Sequence, residues 1–291
     1  MTAHGIDGIG ELGLLERIKP YLSAGAGGDD AAVIADATGF VVASTDMFVE
    51  GVHFDFGWMS AEDVGWRSLA LALGDLAAKG AQPLWALTSI ALPNRWTVER
   101  LTSLYGGMAG LAKGLKLAIA GGDMSSTDGP AALSLTVAGH TMTMPLARAQ
   151  AEAGWSVAVT GPLGAAAVAL RERRAHRLVP LIDEGKRLNE LALCCGDISD
   201  GLVREMEKFA AMAGVGCVLH AEEVPRAAGA SVEDALTSGE EPELVCVGPE
   251  RLIAEAGLHT VGTMTVERTV RVVDARGTAV LLAKTGYDHF A

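Results

Sequence analysis

The chain has 291 residues, of which 49% are hydrophobic and only 5% aromatic, and 36 are glycines. This length predicts one large or two medium domains, with a core built mainly from Ala, Val and Leu. The 36 acidic and 23 basic side chains give a formal net charge of −13 at pH 7, which disfavours nucleic acids and anionic membranes as partners.

The cysteines, the N-terminus and the hydropathy indicate the compartment. The spacing of Cys194, Cys195, Cys217 and Cys246 matches no zinc-binding pattern, and adjacent cysteines rarely form a structural disulfide. The N-terminal residues contain no basic segment followed by an apolar stretch, and no uncharged apolar run is long enough to span a bilayer. We therefore expect a cytoplasmic protein with buried, reduced thiols and no membrane partner.

The first acidic motifs follow a short amphipathic helix predicted over 11–19. Residues 27–54 predict two short strands, over 31–35 and 40–43. The first strand is preceded by Asp30, and the second leads into Ser44-Thr45-Asp46. Neighbouring strands lie about 5 Å apart, so the hairpin can bring both acidic segments to one site. Carboxylate, hydroxyl and carbonyl oxygens suit Mg²⁺, and the alternative interpretation is a solvated turn followed by a helix N-cap.

A third carboxylate, Asp75, interrupts the apolar face of a helix predicted over 61–79. A buried carboxylate requires a partner, which is either a metal ion or, alternatively, an arginine or a helix N-terminus. A fourth, Asp123, follows Gly121-Gly122 in a predicted loop, where glycines let phosphate oxygens approach backbone N–H groups. The other elements predicted in this half are strands over 83–92, 115–120 and 131–140 and a helix over 97–113.

The chain contains no Walker A sequence, so a bound nucleotide would not be held by that motif's lysine. In its absence, phosphate charge would be neutralised by several Mg²⁺ ions. Each acidic motif alone is also explained by ordinary turns and caps. Four of them beside glycines, strand ends and one helix favour a shared metal site, formed by Asp30, Asp46, Asp75 and Asp123.

A connector over 145–154 marks the predicted domain boundary, which divides the chain into domains 1–144 and 145–291. The sharpest motif of the second half is DISDGL, residues 197–202. Ser199 or Asp200 could cap the helix that follows, but capping does not explain Asp197. The elements predicted here are strands over 156–160 and 216–220 and helices over 165–174, 184–195 and 202–213.

These motifs resemble one family when they are taken together and in order. GGDDAAVI, STDMFVEGVHF, ALGDLAAKGA, DISDGL and the terminal GYDHF are similar to the thiamine-monophosphate kinases. That family belongs to the PurM-like superfamily of aminoimidazole ribonucleotide synthetase, selenophosphate synthetase and HypE. The resemblance implies a two-domain α/β (α+β) PurM-like fold, with a mostly antiparallel N-terminal sheet domain that forms a homodimer and a C-terminal α+β domain.

The implied activity is transfer of the γ-phosphoryl group of ATP to thiamine monophosphate, which yields thiamine diphosphate. The acceptor phosphate is already largely a dianion at pH 7, so the reaction needs no general base. Mg²⁺-assisted, direct in-line transfer is therefore expected, without a phosphoenzyme.

The resemblance also assigns roles to individual residues. Those expected to act in catalysis are Asp46, Asp197 and Asp200. Those expected to hold several Mg²⁺ ions are Asp30, Ser44, Thr45, Asp46, Asp75, Asp123, Asp197 and Asp200. Those expected to bind ATP are Thr45, Gly122, Asp123, Arg148 and Ser199. Those expected to bind thiamine monophosphate are His53, Glu240 and Tyr287.

Three segments depart from the family pattern. Lys79 stands where the family's NLSDLAAMGA has Met, the 121–130 loop lacks the Arg of GGDTTRGP, and residues 238–242 differ from ALSGGEDYEL. Two alternatives therefore stay open: a related ATP-dependent enzyme with another acceptor, and a non-catalytic regulator that binds Mg-nucleotide. The chain has no terminal Cys and no Cys before Cys194, which disfavours HypE and selenophosphate synthetase.

Overall fold

The computed structural model describes residues 11–21 and 29–290. Two sheet-containing units follow one another along the chain. The first contains helices α1 (Glu11–Ile18), α2 (Ala61–Ala78) and α3 (Val98–Leu115) and strands β1 (Ala32–Ala35), β2 (Phe40–Val49), β3 (Gln82–Pro93), β4 (Ala118–Thr127) and β5 (Ala132–Thr141). The second contains strands β6 (Ser156–Val159), β7 (Cys194–Asp197), β8 (Gly216–His220), β9 (Leu244–Gly248), β10 (His259–Thr265) and β11 (Val270–Val273) and helices α4 (Ala165–Arg171), α5 (Ile182–Glu190), α6 (Leu202–Ala213), α7 (Val232–Thr237) and α8 (Glu250–Glu255).

Both sheets are mostly antiparallel. The first has the order β1-β2-β5-β3-β4, and the second has the order β11-β8-β10-β6-β9-β7. Parallel pairs occur at one edge of each sheet, between β3 and β4 and between β11 and β8. The mixed α/β architecture with two sheet-rich units is thus confirmed. The two sheets lie on either side of the boundary at 144/145, and that boundary stays a prediction.

Helix α2 is the central element of the molecule. It packs on β2 and β5 of the first sheet, on α3 beside it, and on α5 and β7 of the second unit. Twelve of its 18 residues are buried, whereas a helix at the surface buries only one stripe. Its N-terminus is capped by Ser60, whose side chain accepts from the Asp63 N–H. A polar side chain on the buried part of this helix is therefore held away from solvent.

Strands β6, β7 and β9 of the second sheet are buried on both faces, because their side chains alternate between two cores. Val157, Val159 and Cys194 pack with the α6 helix, whereas Ala158 and Cys195 belong to the core that includes α2. Successive residues of a strand point to opposite faces, which explains this division. The four cysteines are buried free thiols, as predicted.

Two predicted strands in the first unit were too short. β2 continues through Ser44-Thr45-Asp46 to Val49, because all ten of its residues pair with β5. β4 continues through Gly121–Thr127, where a loop was predicted, because these residues pair with β3 in parallel. Ladder hydrogen bonds to a neighbouring strand outweighed the local turn preference of the glycines.

Two predicted helices in the second unit were too long. The helix predicted over 165–174 ends at Arg171, and the one predicted over 184–195 ends at Glu190. Beyond Glu190, Ala192 adopts a left-handed φ of 54° and residues 194–197 pair with β9 as strand β7. A short apolar run does not distinguish a helix from a buried strand by its periodicity, and sheet pairing decided between them here.

No helix in the described ranges is both long and apolar enough to cross a membrane. The cytoplasmic location stays a prediction.

The α2–α3 packing depends on glycines at the helix crossing. A Cβ atom at Gly107 would lie 1.9 Å from the carbonyl oxygen of Glu62, and one at Gly65 would lie 1.9 Å from that of Leu104. Neither distance is sterically allowed, so any side chain at these positions would push the helices apart. Gly106, the neighbour of Gly107 on α3, has no atom within 4 Å of the position of its Cβ.

We therefore predict opposite effects for two adjacent substitutions. Gly107→Ala should lower the free energy of unfolding by about 2–3 kcal/mol, because the helices must separate. Gly106→Ala should raise it by about 0.5–1 kcal/mol, because alanine restricts the unfolded chain at an exposed helical site. Urea denaturation of both variants measures the difference, and equal effects would contradict the close packing.

Candidate active site

Three carboxylates from distant parts of the chain meet where α2 contacts the second sheet. Asp30 precedes β1, Asp75 lies in α2, and Asp197 is the last residue of β7. One oxygen atom from each lies within 4.8 Å of the others. The contact between α2 and β7 brings the second and third together. Gly27 and Gly28, which open the first acidic motif, lie outside the described residues.

Asp75 and Asp197 lie in surroundings that favour their protonated forms in the absence of a bound cation. The Ser44 hydroxyl donates a hydrogen bond to Asp75 Oδ2, but within the described ranges Asp75 forms no ion pair. Burial raises the pKa of Asp75 well above its usual value, and repulsion from Asp197 and Asp46 adds to the effect. Burial likewise raises the pKa of Asp197, with further repulsion from Asp30 and Glu205. Such a pair favours binding of a cation.

Asp30 has the opposite environment. Its side chain is fully buried, with Lys79 Nζ 2.8 Å from Oδ2 and the Arg148 guanidinium in contact with Oδ1. Burial by itself would raise the pKa of Asp30, but Arg148 and Lys79 outweigh burial and lower this pKa to about 2. Asp30 therefore stays ionised and is already paired with two cations.

Two further charges that the sequence analysis missed lie on α6. Glu205 is fully buried and accepts a hydrogen bond of 2.5 Å from Arg148 Nε. Lys208 lies one turn later, with Nζ 2.9 Å from Asp200 and 3.4 Å from Glu205. Their signal in the sequence is weak, because charged residues on an amphipathic helix normally face solvent. The position of Glu205 between the buried Leu202 and Phe209 was the available indication.

Asp46 borders the same group from β2. Side chains alternate along a strand, so Asp46 points to the same face as Ser44, which contacts Asp75. Burial raises the pKa of Asp46 to about 6, repulsion from Asp200 adds to this, and Lys208 opposes it. The structure thus brings Asp46 and Asp200 near the three clustered carboxylates.

Three of the other residues predicted to bind metal or ATP do not point towards the clustered carboxylates. The Thr45 hydroxyl points to the opposite face of β2, where it accepts from Thr136 and contacts Ser134. Gly122 and Asp123 lie on the exposed edge strand β4, and Asp123 is not part of the three-carboxylate group. Neither residue meets the clustered carboxylates in this structure.

Arg148 and Ser199 also have structural partners. Arg148 is only 3% exposed and pairs with Asp30 and Glu205, so contact with a nucleotide would require these ion pairs to rearrange. The Ser199 carbonyl accepts from the Glu240 N–H at 2.8 Å. Neither Ser199 nor Asp200 caps α6, because Gly201 is its N-cap and forms no side-chain cap bond. The capping interpretation of DISDGL was therefore wrong.

The three residues predicted to bind the acceptor lie around a second cluster. His289 packs between the rings of His53 and Tyr287, with centroid distances of 5.0 and 4.6 Å. The Arg67 guanidinium connects Glu240 to this cluster, because it donates to the His53 carbonyl and to the Glu240 carboxylate. The sequence analysis missed Arg67 and His289, although His289 is part of the terminal GYDHF motif.

His53 is neutral in this cluster. Burial lowers its pKa to about 4, with the neighbouring His289 and Arg67 adding to the shift. Its Nδ1 accepts a hydrogen bond of 3.0 Å from the Val49 N–H, so the ring proton resides on Nε2. His53 can therefore donate a hydrogen bond without adding positive charge.

Backbone contacts connect the two clusters. Tyr287 N–H donates to the Asp200 carbonyl at 3.0 Å, and Asp288 forms an ion pair with Arg204. Glu240 has a left-handed φ of 58°, which is costly for a residue other than glycine. The hydrogen bond from its N–H to Ser199 holds it there. The acceptor cluster is thus attached directly to the DISDGL motif.

The donor set fits a hard divalent cation. Asp75, Asp197 and Asp46 offer carboxylate oxygens, and Ser44 adds a hydroxyl, which are the ligand types that Mg²⁺ prefers. The raised pKa values of the three carboxylates indicate charge that a cation would compensate.

Comparisons with known proteins identify the family. Residues 28–141 match the family described as AIR synthase related protein, N-terminal domain. The thiamine-monophosphate kinase of Rhodopirellula baltica is 35% identical over 254 residues, which cover 80% of this chain and 79% of that protein. The one from Synechococcus elongatus is 28% identical, with coverage of 100% and 99%.

A solved structure of AaThiL complexed with AMPPCP and TMP has the same fold. It matches with a TM-score of 0.87 and 27% identity over 100% of both chains. The Rhodopirellula relative is more than 30% identical over most of both proteins, and three carboxylates from separate acidic motifs converge in space. The chain therefore belongs to the thiamine-monophosphate kinase family.

Proposed function

We propose that this protein transfers the γ-phosphoryl group of ATP to thiamine monophosphate and so forms thiamine diphosphate. The observation that carries the proposal is the convergence of Asp30, Asp75 and Asp197 in a chain that matches, over its whole length, a kinase solved with AMPPCP and TMP. ATP and thiamine monophosphate are thus the two substrates.

The chemistry of the acceptor limits what the protein must supply. The phosphate of thiamine monophosphate has a second pKa of about 6, so at pH 7 it is largely a dianion and can attack without a general base. The barrier that remains is repulsion between anions and the alignment of the two phosphates. The residues of this chain must therefore position both substrates and keep water from the transferred group.

We propose that Asp46, Asp75 and Asp197 hold the Mg²⁺ that accompanies ATP, with Ser44 beside them. Bound Mg²⁺ supplies positive charge to the phosphate oxygens of both substrates. Lys208 fixes Asp200 through its 2.9 Å ion pair, and Arg148 fixes Asp30 and Glu205. The ATP contacts of Thr45, Gly122, Asp123 and Ser199 stay predictions.

We also propose that His53, Glu240 and Tyr287 receive the thiamine moiety, assisted by His289. Aromatic rings pack on a heteroaromatic cation through stacking and cation–π attraction. The neutral His53 suits this role, because a protonated imidazole would repel the positively charged thiazolium.

The direct test is ADP release from purified protein with Mg-ATP, with and without thiamine monophosphate, with products identified by mass. We expect ADP and thiamine diphosphate to form together in equal amounts. ADP formed only with aminoimidazole-type acceptors would identify a related enzyme with a different acceptor. Nucleotide binding without any ADP would identify a regulator, and either result would overturn the proposal.

Removing one clustered carboxylate should separate stability from activity. Asp75→Asn or Asp197→Asn should lower kcat by about 10²-fold or more, because ligand charge for the metal is lost. The same changes should raise the melting temperature of the metal-free protein, because a buried, poorly compensated charge is removed. Asp183→Asn, at an exposed site on α5, is the control and should change neither quantity.

Testing these predictions requires thermal scans with and without Mg²⁺ in addition to the kinetic measurements. Wild type and the Asp183 variant should be stabilised by Mg²⁺, and the two active-site variants should not. Near-normal turnover in both active-site variants would remove the metal role of this cluster.

A change in the aromatic cluster should affect the acceptor and not the nucleotide. His53→Ala should raise the KM for thiamine monophosphate about tenfold, as expected for loss of one hydrogen bond and one ring contact. The KM for ATP should change by less than about twofold. His259→Ala, an exposed histidine on β10, is the control. An equal rise in both KM values would contradict an acceptor-specific role.

We propose further that the protein is a homodimer formed through the open face of the first sheet. Trp85, Leu87 and Met47 are 38%, 39% and 61% exposed, and the strand register places them on the face opposite Ser44. Exposed apolar side chains that share one sheet face are typical of an interface.

Leu87→Glu should therefore shift the protein towards monomer, because a carboxylate buried in an apolar interface is costly. Val98→Glu, at a site on α3 that is 72% exposed, is the control. Analytical ultracentrifugation at several concentrations measures the change. A monomeric wild type, or a dimer that resists Leu87→Glu, would contradict this interface.

A further inference from the structure

Lys79 differs from every other lysine that the structure describes in being entirely buried. It is the C-cap residue of α2, and its side chain has 0% exposure. It lies one helical turn after Asp75, so it extends from the same side of the helix. A buried ammonium is tolerated only when its charge and its donors are satisfied.

All three N–H donors of the Lys79 ammonium are within reach of an oxygen. Nζ lies 2.6 Å from Asp29 Oδ1, 2.8 Å from Asp30 Oδ2 and 3.3 Å from the Cys195 carbonyl. Nζ donates hydrogen bonds to Asp29 and to the Cys195 carbonyl. Its contact with Asp30 is an ion pair, and Asp30 Oδ2 has no hydrogen-bond partner among the described residues. Burial lowers the pKa of Lys79, but Asp30 and Asp29 outweigh burial and the pKa is raised overall, so the charge is retained.

The other oxygen of Asp30 is also in contact with a cation. Arg148 contacts Asp30 Oδ1, and its second terminal nitrogen lies 3.7 Å from Asp29. A metal ion approaching Asp30 would therefore meet two fixed positive charges at contact distance. Repulsion between charges at contact distance is strong at the effective dielectric constant of a partly buried site, so it opposes binding of the ion.

Asp75 and Asp197 present a different surface to a cation. Asp75 receives only a hydroxyl donor among the described contacts. Asp197 lies 4.0 Å from Arg148, and the charge of Lys208 also favours its ionised form. The acidic group is thus divided into a side at Asp29 and Asp30, where Lys79 is in direct contact, and a side at Asp75 and Asp197, where Lys79 makes no ion pair. The family pattern quoted above has an uncharged Met at the position of Lys79.

We infer that Lys79 acts as a built-in cation that replaces a divalent metal ion at Asp29 and Asp30, so that metal binding is confined to the Asp75–Asp197 side. Lys79 is then a positioning residue, because it holds two carboxylates and touches no substrate. The inference concerns ion binding by the protein alone and does not depend on which acceptor is phosphorylated.

Anomalous diffraction from wild-type crystals soaked in Mn²⁺ tests the inference directly. We expect a Mn²⁺ peak bonded to Asp75 and Asp197 and no peak bonded to Asp29 or Asp30. Mn²⁺ bonded to Asp30, with the Lys79 side chain displaced, would overturn the inference. This measurement needs no variant, so it decides the question even if substitution of a buried lysine prevents folding.

Lys79→Met provides the complementary test in solution, because it removes the charge at nearly constant volume. Mn²⁺ titration, followed by the electron paramagnetic resonance signal of the free ion, should show one additional bound ion per chain, or an affinity higher by about tenfold or more. Lys113→Met, an exposed site on α3, makes the same change in net charge and should leave the titration unchanged.

Equal Mn²⁺ stoichiometry and affinity in wild type and Lys79→Met would overturn the inference. An equal gain in the Lys113 variant would do so as well, because the effect would then reflect only the net charge. If the wild-type protein did not phosphorylate thiamine monophosphate, this would count against the proposed function and leave these ion-binding results unaffected.

Discussion

Asp75 lies in the last turn of α2, a helix that packs on both sheets, so its carboxylate is largely shielded from water. Asp197 ends the strand that contacts this helix and adds a second negative charge beside it. A buried charge without a partner opposes folding, and the protein compensates only part of it. The neighbouring Asp30 is paired with Lys79 and Arg148, and the remaining carboxylates are the ones that we propose hold a cation.

The same packing connects the acidic cluster to the aromatic cluster. The acidic cluster lies between α2 and the second sheet, and the aromatic cluster lies where the C-terminal residues return to DISDGL. Asp200 links them, because its side chain pairs with Lys208 and its carbonyl accepts from Tyr287. In the mode of binding that we propose, the aromatic residues direct the acceptor phosphate towards the carboxylates, which is the alignment that phosphoryl transfer requires.

The order and type of most elements could be predicted from the sequence, but their limits were less certain where two structures compete locally. Gly121-Gly122 resembles a loop in isolation, yet β3 supplies a pairing partner and the strand continues. Residues 191–197 resemble the end of a helix, yet β9 extends the sheet through them. In both places the deciding hydrogen bonds come from residues far away in the chain, which a local pattern does not contain.

By itself the sequence determined the chemical character of the site, because acids such as Asp75 and Asp197 stand at positions where turn or helix preferences do not require them. Only the tertiary structure decided which acids meet and which are neutralised. It separates Asp123 from the group, points Thr45 to the other face, and buries Lys79 against Asp30. These outcomes depend on strand register and helix packing, because both are set by contacts between distant segments.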